Sequence, residues 1–117
     1  MNTTFSPDDN RRAEQARTGW TLEETTELCN TYNTMLELEA DGLLGRSKAA
    51  GQTSKATLVR AFMLETGRSK GSVESKLMNI SAALQEHGRP MVTGYKPLEN
   101  MSHSTREAVA EYWGLDS

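Results

Sequence analysis

The sequence predicts a mainly α-helical domain with a three-helix, helix-turn-helix core, an extended loop and a short C-terminal helix. Three observations support this fold class. Apolar residues recur at helical spacing in several stretches, and capping residues mark the expected helix starts. In addition, Gly67 separates the second and third helices, as in a helix-turn-helix motif. We expect a flexible N-terminal arm at residues 1–19 and a single helical domain at residues 20–117.

The first helix is predicted to begin after Thr21. Thr21 and Glu24 have the spacing of a capping box, in which each residue bonds the backbone of the other. The helical pattern continues to about Ala40 and ends at Gly42. Trp20 precedes the cap, so we expect its ring to fold back onto the core as a hydrophobic staple.

A loop is predicted over residues 43–53, because two glycines and several small polar residues interrupt the helical pattern. The second helix then begins at Thr53 or Ser54 and extends to Thr66. Its apolar side faces the core, and Arg60 points away from that side.

The third helix is predicted to begin at Ser69 or Ser72 and to end before Gly88. An apolar stripe with spacings of four, three and four faces the core. It consists of Val73, Leu77, Ile80 and Leu84. The opposite side is small and polar, and we expect it to face solvent, with Lys70 and Lys76 on its flanks. It consists of Gly71, Ser75, Met78, Asn79 and Ala82.

Residues 89–97 are expected to be extended, because two prolines forbid a helix there. We predict that this segment lies against the bundle with Tyr95 packed and Lys96 exposed. Ser104 and Glu107 again have capping-box spacing, which predicts a short helix that begins at Ser104.

Composition restricts the possible functions. The only cysteine, Cys29, excludes an internal disulfide and a cysteine-based metal cluster. No apolar run is long enough for a membrane span, and the N-terminus is polar, so we expect a cytoplasmic protein. Neither histidine stands in a metal-binding or nucleophile pattern. We therefore expect no cofactor and no enzymatic activity.

Charge is distributed unevenly, although the net charge is only −3. Residues 18–45 carry six carboxylates and no lysine or arginine, whereas residues 46–76 carry seven lysines and arginines against two glutamates. Such a molecule can present a positive face to a polyanion. We therefore predict binding to double-stranded DNA, with the third helix in the major groove, Asn79 and Ser75 at base edges and the amides of residues 69–72 at a phosphate.

Two families share parts of this pattern. The Trp20–Glu24 run, followed by Gly67-Arg68-Ser69 and an amphipathic helix, resembles Myb/SANT domains, although the first helix and loop are longer here. The run from Gly67 to Leu84, then Gly88-Arg-Pro and 94–100, is similar to the N-terminal module of bacterial and phage HNH-type, restriction-like nucleases. That module precedes the cutting domain.

The second resemblance covers roughly residues 20–101 and implies a helical, DNA-associated module of phage or prophage origin. This sequence departs from the family pattern at Ser75 and Met101, where aromatic residues are expected, and at Ser102, where a glutamine is. No nuclease domain follows, so the resemblance implies targeting or regulation and not cleavage. The residues that match the pattern of this nuclease module are Arg68, Lys70, Lys76, Asn79, Tyr95 and Lys96.

Together, these observations predict one set of DNA-binding residues, with the role of Lys96 left open between DNA contact and bracing of the bundle. The set is Arg46, Lys48, Lys55, Arg68, Ser69, Lys70, Ser72, Ser75, Lys76, Asn79 and Lys96. The alternative hypothesis is a protein-interaction module, such as a phage product that binds a host enzyme through the acidic first helix. The continuous acidity from Glu23 to Asp41 favours it, since a DNA-binding protein does not need this feature. The oligomeric state is not predicted.

Overall fold

The computed structural model describes residues 19–115 and confirms a mainly α-helical fold. Within these residues there are four helices and no strand, apart from an isolated bridge between Leu44 and Thr53. The predicted arm, except for Gly19, lies outside the described residues. The helices are α1 (Leu22–Ala40), α2 (Lys55–Thr66), α3 (Lys70–Glu86) and α4 (His103–Trp113).

The starts of the first three helices follow the capping chemistry of the sequence. The Thr21 hydroxyl accepts from the Glu24 amide at 3.0 Å, and the Glu24 carboxylate accepts from the Thr21 amide at 3.2 Å. This capping box was predicted and is confirmed. Ser54 and Ser69 cap α2 and α3 in the same manner through their hydroxyl groups.

The connection between α2 and α3 is the tight glycine turn that the sequence predicted. Gly67 ends α2 with φ at 77°, a left-handed conformation that glycine adopts without a steric penalty. Its amide donates to the Met63 carbonyl at 2.7 Å. Since α3 begins at Lys70, only three residues join the two helices.

The start of α4 differs from the prediction. The helix begins at His103 with Ser102 as its N-cap, so the capping box expected at Ser104 and Glu107 is wrong. The Ser102 hydroxyl bonds the hydroxyls of Ser104 and Thr105 rather than a helix amide. Thr105 is fully buried against α3. This packing places Thr105 in the first turn of α4, so the helix begins one residue before Ser104.

Helices α1 and α3 form the centre of the molecule, since each packs against all three other helices. The predicted apolar stripe of α3 lies in the core, where α1 and α4 also pack against each other. Burial raises the pKa of the Cys29 thiol on α1 to about 12, which leaves it protonated and unreactive. The core consists mainly of Leu28, Tyr32, Met35, Val59, Phe62, Val73, Leu77, Ile80, Leu84 and Val109.

The chain between α3 and α4 is an extended strap, residues 89–101, that lies across α1 and α3. Val92 is buried, and its amide donates to the Tyr32 hydroxyl at 2.9 Å. Further along, the Leu98 amide donates to the Met78 carbonyl at 3.0 Å. Tyr95 is half-buried and Lys96 is exposed, as predicted.

Candidate nucleic-acid interface

The outer side predicted for α3 is covered over its second half by the strap. Asn79 is only 5% exposed, and its Nδ2 donates to the carbonyls of Leu98 at 2.6 Å and Asn100 at 3.4 Å. Ala82, one turn further, is 1% exposed. The prediction that Asn79 addresses base edges is therefore wrong, because its amide is used to hold the strap against the helix.

The first turns of α3 remain at the surface. Ser75 and Lys70 are exposed, as predicted. The Ser69 hydroxyl caps the helix by accepting from the Ser72 amide at 3.2 Å, and the Ser72 hydroxyl accepts from Trp20 Nε1 at 3.1 Å. Both hydroxyls thus have structural partners, and one of the amides expected at a phosphate is already bonded.

Arg68 lies inside the fold and not on the DNA-facing surface that was predicted. Its side chain is 3% exposed and binds the Glu24 carboxylate through two nitrogens, at 2.7 and 3.2 Å. It also donates to the Gly19 carbonyl at 2.8 Å and lies 4.4 Å from the centre of the Trp20 ring. Because α1, its N-terminal flank and α3 meet here, the guanidinium joins these elements rather than contacting a phosphate.

The same contacts determine the ionisation of Glu24. Burial acts to raise its pKa, but the hydrogen bonds from Arg68 and Thr21 outweigh burial and hold the pKa below the ordinary value. The carboxylate is therefore charged at neutral pH and opposite a buried guanidinium. One acidic group of α1 is thereby neutralised inside the protein.

Lys76 is also internal, so its predicted phosphate contact is wrong as well. The residue is 9% exposed, its Nζ donates to the Thr105 hydroxyl at 3.0 Å, and the ammonium lies 5.6 Å from the Trp20 ring centre. Within residues 19–115 no carboxylate forms an ion pair with it. Burial and the nearby charge of Arg68 lower its pKa.

Replacing Lys76 with Met is expected to raise the free energy of unfolding by about 1 kcal/mol at pH 7, because a buried ammonium without a counter-ion is exchanged for an apolar chain. Thr105 keeps a partner in Ser102. Since the folded-state pKa of Lys76 is lowered from 10.5, the wild type becomes more stable as pH rises through that pKa toward 10.5. Urea unfolding at several pH values should show the variant's advantage shrinking as the pH is raised; an advantage that grows would contradict this prediction.

The remaining predicted cations gather at the start of α2. Arg46 and Lys48 are exposed on the 43–53 loop and line a concavity of about 460 Å³ with Ser54 and Thr57. An adjoining concavity of about 290 Å³ is lined by Arg46 and Lys55. The structure thus brings together three cations that are separated in sequence.

Lys55 is half-buried and points across this region to the strap. Its Nζ donates to the Thr93 carbonyl and lies 4.7 Å from the centre of the Tyr95 ring. Glu39 accepts from the Thr93 amide at 3.1 Å on the same side. These contacts fix the strap against α2 and leave Arg46 and Lys48 as the more accessible cations.

Arg60 is a fourth cation near this region. The sequence predicted that it points away from the core, but it was not among the predicted DNA-binding residues. It is exposed on α2, one helical turn beyond Ala56, which lines both concavities. We call Arg46, Lys48, Lys55 and Arg60 the basic surface. The sequence already indicated that Arg60 is exposed, because a cation opposite the apolar stripe of a helix must face solvent.

Exposed acidic groups occupy α1 instead. Two of the six carboxylates of residues 18–45 are bonded to groups outside α1, Glu24 to Arg68 and Glu39 to the strap. The other four are exposed along α1 or at its end: Glu23, Glu27, Glu37 and Asp41. The exposed side chains therefore retain the charge division seen in the sequence, although two of the seven cations of residues 46–76, Arg68 and Lys76, are buried.

Both histidines line a separate cleft of about 320 Å³ between the end of α3 and the start of α4. His87 and His103 lie there near the exposed ion pair of Arg106 with Glu86. In the described part of the chain, no three histidine, cysteine or acidic side chains are grouped to hold a metal ion.

Comparisons with protein-family models, curated proteins and solved structures found no match. Among residues 19–115, no helix is both long and apolar enough to cross a membrane.

Proposed function

We propose that the protein binds double-stranded DNA through the basic surface. The observation that carries this proposal is that Arg46, Lys48 and Lys55 lie together at the start of α2, with Arg60 exposed further along the same helix, while the exposed carboxylates of α1 lie on another element. Cations placed together on one side neutralise neighbouring phosphates, and acids elsewhere orient the approach to a polyanion.

The expected binding is electrostatic and strongly salt-dependent. If the three exposed side chains, Arg46, Lys48 and Arg60, neutralise about three phosphates, the logarithm of the association constant should fall with the logarithm of salt concentration with a slope of about −2.7. Contacts of this kind position a protein on DNA without selecting a sequence.

The proposed role is targeting or regulation in a reducing cytosol, and it includes no catalytic step. The buried thiol of Cys29, held protonated, is compatible with that compartment. The proposed origin in a phage or prophage rests on the family resemblance stated for the sequence.

Replacing both Arg46 and Lys48 with Gln is expected to weaken binding to random-sequence duplex DNA about tenfold at low salt. The salt slope should become shallower by about 1.8, since two phosphate contacts are lost. Fluorescence anisotropy across a salt series measures both quantities. Both side chains are exposed, so the fold should be unaffected.

A matched control removes the same charge elsewhere, by replacing Arg89 and Arg106 with Gln. Arg89 is exposed after α3, and Arg106 belongs to α4, outside the basic surface. The control should retain most of the wild-type affinity and slope. Equal losses in both double variants, or wild-type affinity that ignores salt, would overturn the proposal.

A second candidate function is the binding of a basic protein partner to α1. It is supported by the exposed carboxylates, two of which, Glu23 and Glu27, lie one turn apart on the helix. A pull-down from nuclease-treated bacterial lysate, repeated with Glu23 and Glu27 changed to Gln, distinguishes the two functions. A stoichiometric partner that the wild type retains and this variant loses would favour protein binding.

A further inference from the structure

The outward face of α2 is unusually open for a helix in a small domain. Ala56, Thr57, Arg60, Ala61 and Leu64 are all exposed. The Leu64 side chain is the extreme case, because the residue is 81% exposed. Thr57, Arg60 and Leu64 follow one another at spacings of three and four, so they form a single line along the helix.

This line is narrow. Alanines flank it on both sides, Ala56 on one and Ala61 on the other, so the backbone can approach another surface closely. Twelve residues give a rod of about 18 Å, and the DNA major groove is about 12 Å wide and admits an α-helix. The outward face therefore has the size and shape of a groove-reading element.

Charge complementarity identifies the occupant. Arg46 and Lys48 lie beside the start of α2, and the exposed Lys70 follows shortly after its end, so cations are present beyond both ends of the outward face. Glu65, the acidic residue of α2, lies at the edge of this face and lines a different cleft with Glu27 of α1. A phosphate backbone near the start of α2 would therefore meet Arg46 and Lys48.

The other helix of the turn, α3, is exposed mainly along its first turns. Between Lys76 and Leu84, α3 is buried on nearly every side, and the strap covers Asn79. By contrast, α2 has only Val59 and Phe62 fully buried, and on its opposite side Thr57, Arg60 and Leu64 are exposed.

We propose that the outward face of α2 enters the major groove and reads base edges, an inference that rests on the proposed DNA binding. Arg60 at the centre has the forked donors that pair with guanine O6 and N7. The Leu64 side chain, apolar and exposed, fits a thymine methyl group. The Thr57 hydroxyl bonds the Ser54 hydroxyl at 2.9 Å, so it adds a contact only through its remaining hydrogen-bonding capacity. The other cations of the basic surface, at the start of the helix, set the register on the phosphates.

The test is selection of bound sequences from a random duplex library with the full chain, followed by affinity measurements on the enriched site and on random duplex. Arg60→Gln and Leu64→Ser are the test variants, since both side chains are exposed and neither change should unfold the protein. Arg106→Gln is the matched control, because it removes an arginine from α4 and leaves α2 intact.

The wild type and the control should enrich the same motif. Arg60→Gln should lose the preference for guanine at one position, by about tenfold, with a smaller change in affinity for random duplex. Leu64→Ser should relax a preference for thymine nearby. Salt-dependent binding without an enriched motif, or a motif unchanged in both variants, would overturn the reading role of α2 and leave DNA binding intact. Failure to bind any duplex would overturn the proposed function itself.

Discussion

Replacing Arg68 with Met is expected to lower the free energy of unfolding by about 3 kcal/mol. The change leaves the Glu24 carboxylate without its bidentate partner and removes the donor to the Gly19 carbonyl. This value is at the lower end for breaking a buried ion pair, because the Glu24 side chain retains 18% exposure. Urea unfolding followed by circular dichroism measures the loss.

The chain supplies a matched control in Arg106. This arginine also donates two hydrogen bonds to a glutamate, from Nε and Nη2 to the Glu86 carboxylate oxygens at 3.1 and 3.0 Å. Both side chains, however, are more than two-fifths exposed. Arg106→Met should therefore cost much less, since water screens the pair. Equal costs for Arg68→Met and Arg106→Met would contradict the structural role assigned to Arg68.

The Arg68 variant should also change the response to acid. Because the folded-state pKa of Glu24 is lowered, its contribution to stability is present above the unfolded pKa and is lost as pH falls through the folded one. The wild type should lose this contribution on acidification below the ordinary range of glutamate. In Arg68→Met, that part of the pH dependence should be largely absent.

Replacing Tyr32 with Phe is expected to lower the free energy of unfolding by about 2 kcal/mol. The Tyr32 hydroxyl is buried, bonds the Ser81 hydroxyl at 2.7 Å and accepts from the Val92 amide at 2.9 Å. Phe retains the ring but leaves the two buried groups without this partner. The loss should be visible as a lower urea midpoint with an unchanged slope.

Tyr112→Phe provides the control for Tyr32→Phe. The Tyr112 hydroxyl donates to the Asn30 side chain at 2.8 Å, and this bond is exposed to water. Its removal should cost less, because water replaces the lost partner. A loss as large as that of Tyr32→Phe would contradict the role proposed for the buried hydroxyl in fixing the strap.

The sequence was most informative where local chemistry decides the structure. Thr21 and Glu24 are three residues apart, so their capping box requires nothing from the rest of the chain. Gly67 likewise predicts the turn between α2 and α3 from its own conformational freedom. The start of α4 was misplaced because the capping-box spacing of Ser104 and Glu107 competes with the packing of Thr105 on α3.

The candidate site was less predictable. Lys76, Asn79 and Arg68 have the polar side chains of a DNA-reading surface. The helical positions of Lys76 and Asn79 place them away from the apolar stripe, and Arg68 lies in the turn before the helix. A helical pattern identifies which residues share a side, but it does not state what covers that side. In this protein the strap lies over Asn79, and α1 and its flank enclose Arg68.

The sequence by itself determined the helical class, the capping box of α1, the apolar stripe of α3 and the division of charge along the chain. These properties depend on residues within a few positions of each other, or on composition. Only the tertiary structure decided which cations remain at the surface, since long-range contacts bury Arg68 and Lys76 and leave Arg46, Lys48 and Arg60 exposed. The physical reason is that burial depends on which elements from elsewhere in the chain pack on a residue. A helical period shows only which residues share a face of the helix.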